Sequence, residues 1–248
     1  MRHMADTWYT HSEIKCIYYR HGAESEEEEI SLLPPDVEVR DVAWLNDTCK
    51  PQAKLDDPMG GPIYIPGRNL VFATLAACQE LPDEIWMGTL YDECNDTATD
   101  KNNKFRADAS ALFSYVLSPF KKDVMIRFPF VEQEMTKDRS VKWALKNGLT
   151  PRQLKQTVSC WHYSTEDNKA CGACKQCFKR FFVMLMNGIR EDNMNIHPVK
   201  YLNSRYIKYY LNKEDPNADE ANVRDMILHC KYHGLLTQEE LGWIHKWS

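Results

Sequence analysis

Ile63-Tyr-Ile-Pro-Gly-Arg-Asn-Leu-Val-Phe-Ala-Thr-Leu-Ala-Ala-Cys78, followed after Leu81-Pro82 by Glu84-Ile-Trp-Met-Gly88, is the stretch on which the fold turns. Ile63 to Ile65 reads as a strand, Pro66-Gly67 as a turn, and Leu70 to Cys78 as an apolar helix with Asn69 placed to cap it. Glu84 to Gly88 then reads as a second buried strand. Strand, helix and strand at this spacing predict a parallel crossover, and a parallel sheet has both faces covered. Such sheets bind ligands at the carboxyl ends of their strands, the edge where Arg68, Asn69 and Asp92 fall.

Outward from this unit the pattern continues. Ile14 to Tyr19 and Val37 to Trp44 read as strands flanking an acidic helix at Glu24 to Ile30. Pro51, Pro58, Gly60, Gly61 and Pro62 mark a loop. Helices are expected at 105–117, 136–147 and 176–189, and a strand at 123–129. Thr150-Pro151 is a helix start, with a cap followed by proline in the first turn. In the tail, Glu220 to His233 and Leu241 onward read as helices, and Thr237-Gln-Glu-Glu240 fits a capping box before the second. The reading is α/β: a doubly wound parallel sheet with a C-terminal four-cysteine zinc site and a helical tail.

Composition narrows the function classes. The chain has 248 residues, 43% hydrophobic and 27% charged, with a formal charge of −5. Those proportions belong to ordinary globular protein rather than to disorder or collagen. No apolar run approaches the ~18 residues of a membrane span, and Met1-Arg-His-Met-Ala-Asp6 has no signal-peptide core. A cytoplasmic address is therefore expected, and His3-Met4 reads as a cloning scar. Basic residues outnumber acidic ones by 15 to 8 between Lys121 and Lys200. Lys200 to Tyr210 also interleaves cations with aromatics, as nucleic-acid-binding grooves do, although the acidic whole disfavours that partner.

Nine cysteines in a reducing compartment point to metal before disulfides. Cys160, Cys171, Cys174 and Cys177 have the spacing C-x(10)-C-x(2)-C-x(2)-C. Four thiolates at about 2.3 Å suit tetrahedral zinc, and a site filled by four protein ligands is closed and structural. Gly172 allows the tight turn between the close ligands. Two alternatives stay open: a redox pair at Cys171 and Cys174, or His162 in place of one cysteine.

Thr157-Val-Ser-Cys-Trp161 with Cys171-Gly-Ala-Cys-Lys-Gln-Cys177 resembles the zinc motif of the 7-cyano-7-deazaguanine synthase family, which makes the nitrile base precursor of queuosine and archaeosine. Ile65-Pro-Gly-Arg-Asn-Leu-Val-Phe72 is similar to that family's second motif. Gly88 with Asp92, Asp96, Asp100 and Phe105 resembles its substrate-side loop, and Met135-Thr-Lys-Asp-Arg139 before Gly148-Leu149 its Thr-Lys turn. Order and spacing agree over residues 63–180. The resemblance implies an adenine-nucleotide α-hydrolase-like domain with a zinc appendage, as a homodimer or as the partner of another protein. It also implies a reaction. ATP activates 7-carboxy-7-deazaguanine as an adenylate, ammonia gives the amide, and a second ATP drives dehydration to the nitrile. Arg68 and Lys137 would meet phosphate or developing negative charge, Asn69 would line the site, and Asp92 and Asp100 would face the base or its ammonia nucleophile. Without the resemblance, the same residues read as an exposed cation, a solvated helix start and loop acids.

One departure matters. The family begins with a strand and Ser-Gly-Gly-x-Asp-Ser, whose backbone amides cradle pyrophosphate. Here the one Gly-Gly pair, Gly60-Gly61, precedes Pro-Ile, and 13 residues precede the strand at Ile14. ATP binding is therefore doubtful. A degenerate, non-catalytic binding or scaffold module is the first expectation, and an active ligase whose ATP loop is supplied otherwise is the second. A zinc-stabilised nucleic-acid-binding protein is the third. The expected organisation is a synthase-like α/β domain over 1–195, including the zinc site at 157–180, and a helical extension over 196–248.

Overall fold

The computed structural model describes residues 13–22, 26–45, 52–53, 63–65, 67–95, 99–160, 162–164, 166–202, 208–212, 214, 216 and 218–245. Asp96, Gly60-Gly61 and the middle of the Tyr/Lys stretch lie outside them. In chain order the first elements are β1 (Ile17–Arg20), α1 (Glu26–Ser31), β2 (Glu38–Asp41), β3 (Gln52–Ala53), β4 (Ile63–Tyr64), α2 (Arg68–Glu80), β5 (Glu84–Trp86), α3 (Asn103–Val116) and β6 (Met125–Arg127). Helices follow: α4 (Pro129–Glu132), α5 (Lys137–Lys146), α6 (Pro151–Gln156), α7 (Lys175–Met186), α8 (Pro198–Leu202), α9 (Lys208–Asn212), α10 (Ala218–Tyr232) and α11 (Gln238–His245). Among the described residues no helix is long and apolar enough to cross a membrane.

The chain forms two compact units. The first comprises residues up to 21 with 34–50 and 65–136. Its strands form two parallel pairs. In one, Ile17 faces Glu38 and Arg20 faces Asp41; in the other, Glu84 faces Met125 and Trp86 faces Arg127. Helix α3 makes the crossover from β5 to β6. Its Ala109 and Phe113 join Ala73 and Ala77 of α2 and Ile126 of β6 in one buried cluster.

The strand pairing differs from the sequence reading. Ile63-Tyr64 pairs antiparallel with Gln52-Ala53, not with 84–86, and the described strands form three two-stranded ladders instead of one doubly wound sheet. A physical reason is visible at β6. The amides of Val124, just before it, and of Ile126 within it donate to the hydroxyls of Ser114 (3.0 Å) and Ser110 (2.9 Å) on α3. A helix thus satisfies the donors that a further strand would use.

The second unit comprises residues 22–33, 51–64 and 137–248. Its centre is α7, whose Phe178, Phe181 and Phe182 are buried with Tyr210, Val223, Ile227 and Ile244. The expected caps form. Thr150 accepts from the Gln153 amide while the Gln153 side chain accepts from the Thr150 amide, and Thr237 and Glu240 do the same at the start of α11.

Candidate functional site

The four cysteine sulfurs converge in the second unit. All lie within 4.8 Å of one another, and Cys160, Cys174 and Cys177 are buried. Cys174 sits at the N-cap of α7 and Cys177 in its first turn, so one helix start presents two thiols at once. Their sulfurs are 3.5 Å apart, and those of Cys171 and Cys177 3.9 Å apart. A tetrahedron with bonds of about 2.3 Å has edges near 3.8 Å, so the spacing suits a single metal ion.

Backbone amides already point at the sulfurs. Cys171 and His162 donate to Cys160 Sγ at 3.2 and 3.3 Å, and Ala173 donates to Cys171 Sγ at 3.3 Å. Hydrogen bonding with Cys160, then with Cys174 and Cys177, holds the Cys171 thiol below the usual range. The same contacts push Cys160 and Cys177 up, through Cys171 and Cys160 respectively in the first place. Four adjacent thiolates repel one another, so full deprotonation calls for a cation between them. Gly172 has φ +72°, and a Cβ there would stand 1.7 Å from the Ile196 carbonyl oxygen. His162 contributes its backbone amide, and the set of four grouped donors is made of cysteines.

The other predicted residues divide between the units. In the first, Arg68 opens α2 and Asn69 follows it inside the first turn. The helix cap is Gly67 in the left-handed conformation, not Asn69. Asn69 instead donates from Nδ2 to the carbonyl of Asp100 at 3.2 Å. Asp92 is buried in the short 3-10 turn Tyr91–Glu93, just beyond the carboxyl end of β5. Glu93 and Lys101 pair at 3.2 Å, and the Tyr91 amide donates to Met135 O at 3.0 Å. Asn69 thus joins the start of α2 to the 99–102 loop, and Lys101 joins that loop to the 91–93 turn. Lys137 begins α5 in the second unit and reaches Gln176 Oε1 at 3.5 Å, between two cysteine ligands in sequence.

Arg68 stands in a first helical turn that holds no acidic residue. A cation there meets the positive end of the helix dipole, an arrangement that an arriving anion relieves. Sequence reasoning missed the Glu93–Lys101 pair, since two ordinary loop charges carry no signal of their contact. It also missed Arg180, buried on α7 beside Lys179 and ahead of Phe181, Phe182 and Val183, where a pair of adjacent cations set in an apolar run was the available sign.

The family model for queuosine biosynthesis protein QueC matches residues 43–184, more than half of the chain. No curated protein matches it. The matched span contains Arg68, Asn69, Asp92 and Asp100 of the first unit and all four cysteines of the second.

Proposed function

The chain belongs to the QueC family, that of 7-cyano-7-deazaguanine synthase, and from that premise we propose that it is a deazaguanine-binding module braced by structural zinc. The base sits at the edge formed by Arg68, Asn69, Asp92 and Asp100, where carboxylates accept the N–H groups of a guanine-like face and Arg68 meets a 7-carboxylate. The observation that carries this reading is the linkage of those segments within the family-matched span, through Asn69 to Asp100 and Glu93 to Lys101. Lys137, which reaches Gln176 Oε1 within the second unit, is left out of this site.

The metal is zinc, because an all-thiolate tetrahedral donor set selects it and leaves no open position for catalysis. When bound, zinc supplies cohesion to the loop between Cys160 and Cys177; binding and orienting the base fall to the residues of the first unit.

The chain itself does not supply the ATP pyrophosphate cradle, since its single Gly-Gly pair is followed by Pro-Ile. Two or three missing charge-assisted amide bonds, at ~1.5–3 kcal/mol each, remove roughly 3–9 kcal/mol of binding. Calorimetric titration of the full chain with 7-carboxy-7-deazaguanine and, separately, with ATP tests the proposal. Base binding together with an ATP Kd weaker than ~1 mM is the expected result. Micromolar ATP binding moves the assignment to an active ligase, and failure to bind the base overturns the site.

A further inference from the structure

We propose that Arg180 is the positioning residue of the cysteine site: one buried guanidinium holds together the three stretches of chain that bring the four thiols to one point. The inference rests on the metal reading above and concerns how tightly and in what geometry the ion is held.

Cys160 is separated from its nearest partner by ten residues, so its thiol must be brought to the other three at an entropic cost. The stretch that delivers it, Leu154 to Ser159, is anchored by Arg180. Nη2 donates to the Leu154 carbonyl at 2.8 Å, and Nη1 to Thr157 Oγ1 at 2.8 Å and Ser159 Oγ at 3.4 Å. Arg180 itself lies one turn beyond Cys177 on the helix that Cys174 caps. Its remaining donors close on Glu191, Nε to Oε2 and Nη2 to Oε1, both at 2.8 Å. Glu191 begins the stretch that backs the third cysteine. The Ala170 amide donates to Asn193 O at 3.3 Å, Asn195 donates to Ala170 O at 2.9 Å, and the Ile196 carbonyl closes over Gly172.

The guanidinium therefore touches the stretch that delivers Cys160, the helix that presents Cys174 and Cys177, and the segment that supports Cys171. Both side chains of the ion pair are less than a tenth exposed. Buried ion pairs add little net stability over apolar replacements, so a role in fixing geometry accounts better for its presence. Only the planar, five-donor fork of arginine can serve all these acceptors; a lysine ammonium has three donors and no fixed plane. Groups that orient metal ligands from outside typically change metal affinity by roughly 10–100-fold when removed.

The test loads the full chain with Co²⁺ and with Zn²⁺ and follows transfer of the metal to the chelator 4-(2-pyridylazo)resorcinol. Wild type is compared with Arg180→Lys, Glu191→Gln, Thr157→Val and the Arg180→Lys/Glu191→Gln pair. The Co²⁺ form of each variant should keep the sulfur-to-metal charge-transfer band of four thiolates. Release should be roughly 10–100-fold faster for Arg180→Lys and Glu191→Gln, and no faster again for the pair, because both remove one interaction. Thr157→Val, which spares the ion pair, should give a smaller acceleration and decides the question if the others fail to fold. Wild-type release rates in all folded variants would overturn the inference and leave the metal reading intact. A wild-type chain that takes up no metal would remove both.

Discussion

The Ile196 carbonyl oxygen occupies the space beside Gly172, 1.7 Å from where a Cβ would stand, at a glycine whose φ is +72°. Backbone faces backbone there, so no side-chain rotation relieves the contact. Gly172→Ala should destabilise the second unit by at least ~2–3 kcal/mol, from left-handed strain and displacement of residues 193–196. Urea melts of the zinc-loaded protein measure it. A change below ~1 kcal/mol would mean that the loop shifts freely.

Metal content follows from the convergence of the four sulfurs. Elemental analysis of the purified chain should find about one zinc per molecule. Cys174→Ala removes one of the four thiols while leaving the backbone cap of α7 in place, since the Cys174 side chain makes no cap hydrogen bond. Zinc binding is coupled to folding, and loss of one thiolate should lower affinity by at least ~100-fold and unfold the stretch from 160 to 180. A stable, metal-free protein with four titratable thiols there would contradict the assignment.

Arg68→Ala distinguishes ligands by charge. A guanidinium that pairs with the carboxylate of 7-carboxy-7-deazaguanine contributes ~1.5–3 kcal/mol, so the variant should bind that base roughly 10–150-fold more weakly. The neutral nitrile lacks the partner and should lose little. Equal losses for both, read by calorimetry, would remove Arg68 from the site.

Two buried acids in the second unit bound its stability in pH. Burial raises Glu240, yet hydrogen bonds from Arg190 and from the Thr237 amide and hydroxyl outweigh it and hold the carboxyl below its ordinary 4.5. Its contribution is present above that value and lost as pH falls through the lower folded one. Arg190→Ala should flatten this acid limb. Burial pushes the Cys230 thiol up to about 12 from its ordinary 9.0, with Glu240 adding to the shift. Stability is then full below about pH 9 and declines toward about 12, because the unfolded thiol ionises first. The slope is at most ~1.4 kcal/mol per unit, and Cys230→Ala should reduce it in urea melts at pH 8 and 10.5.

Local chemistry was legible in the residues. The cysteine spacing announced the four-thiol cluster because the C-x(2)-C turns place their own thiols, and helix starts announced themselves because caps act within four residues. Thr150 caps its helix and Thr237 forms its capping box with Glu240 as read, while the return bond between Gln153 and Thr150 was not. The ordered motifs from Arg68 to Cys177 identified the family without any geometry.

Tertiary structure decided what depends on residues distant in sequence. Ile63-Tyr64 is short enough to pair with either neighbour, and Gln52-Ala53 supplied the partner. Asn69 is as good a cap by type as any asparagine, but the helix begins two residues earlier than read and the amide turns to Asp100, 31 residues away. Arg180 carries no assigned role in the sequence; the acceptors of 154–159 and Glu191 that close around it are brought there only by the fold. Sequence carries short-range preferences directly. Which strand edge, carbonyl or carboxylate meets a given donor is settled by the packing that brings distant segments together, since each such group has many equivalent partners until the chain has folded.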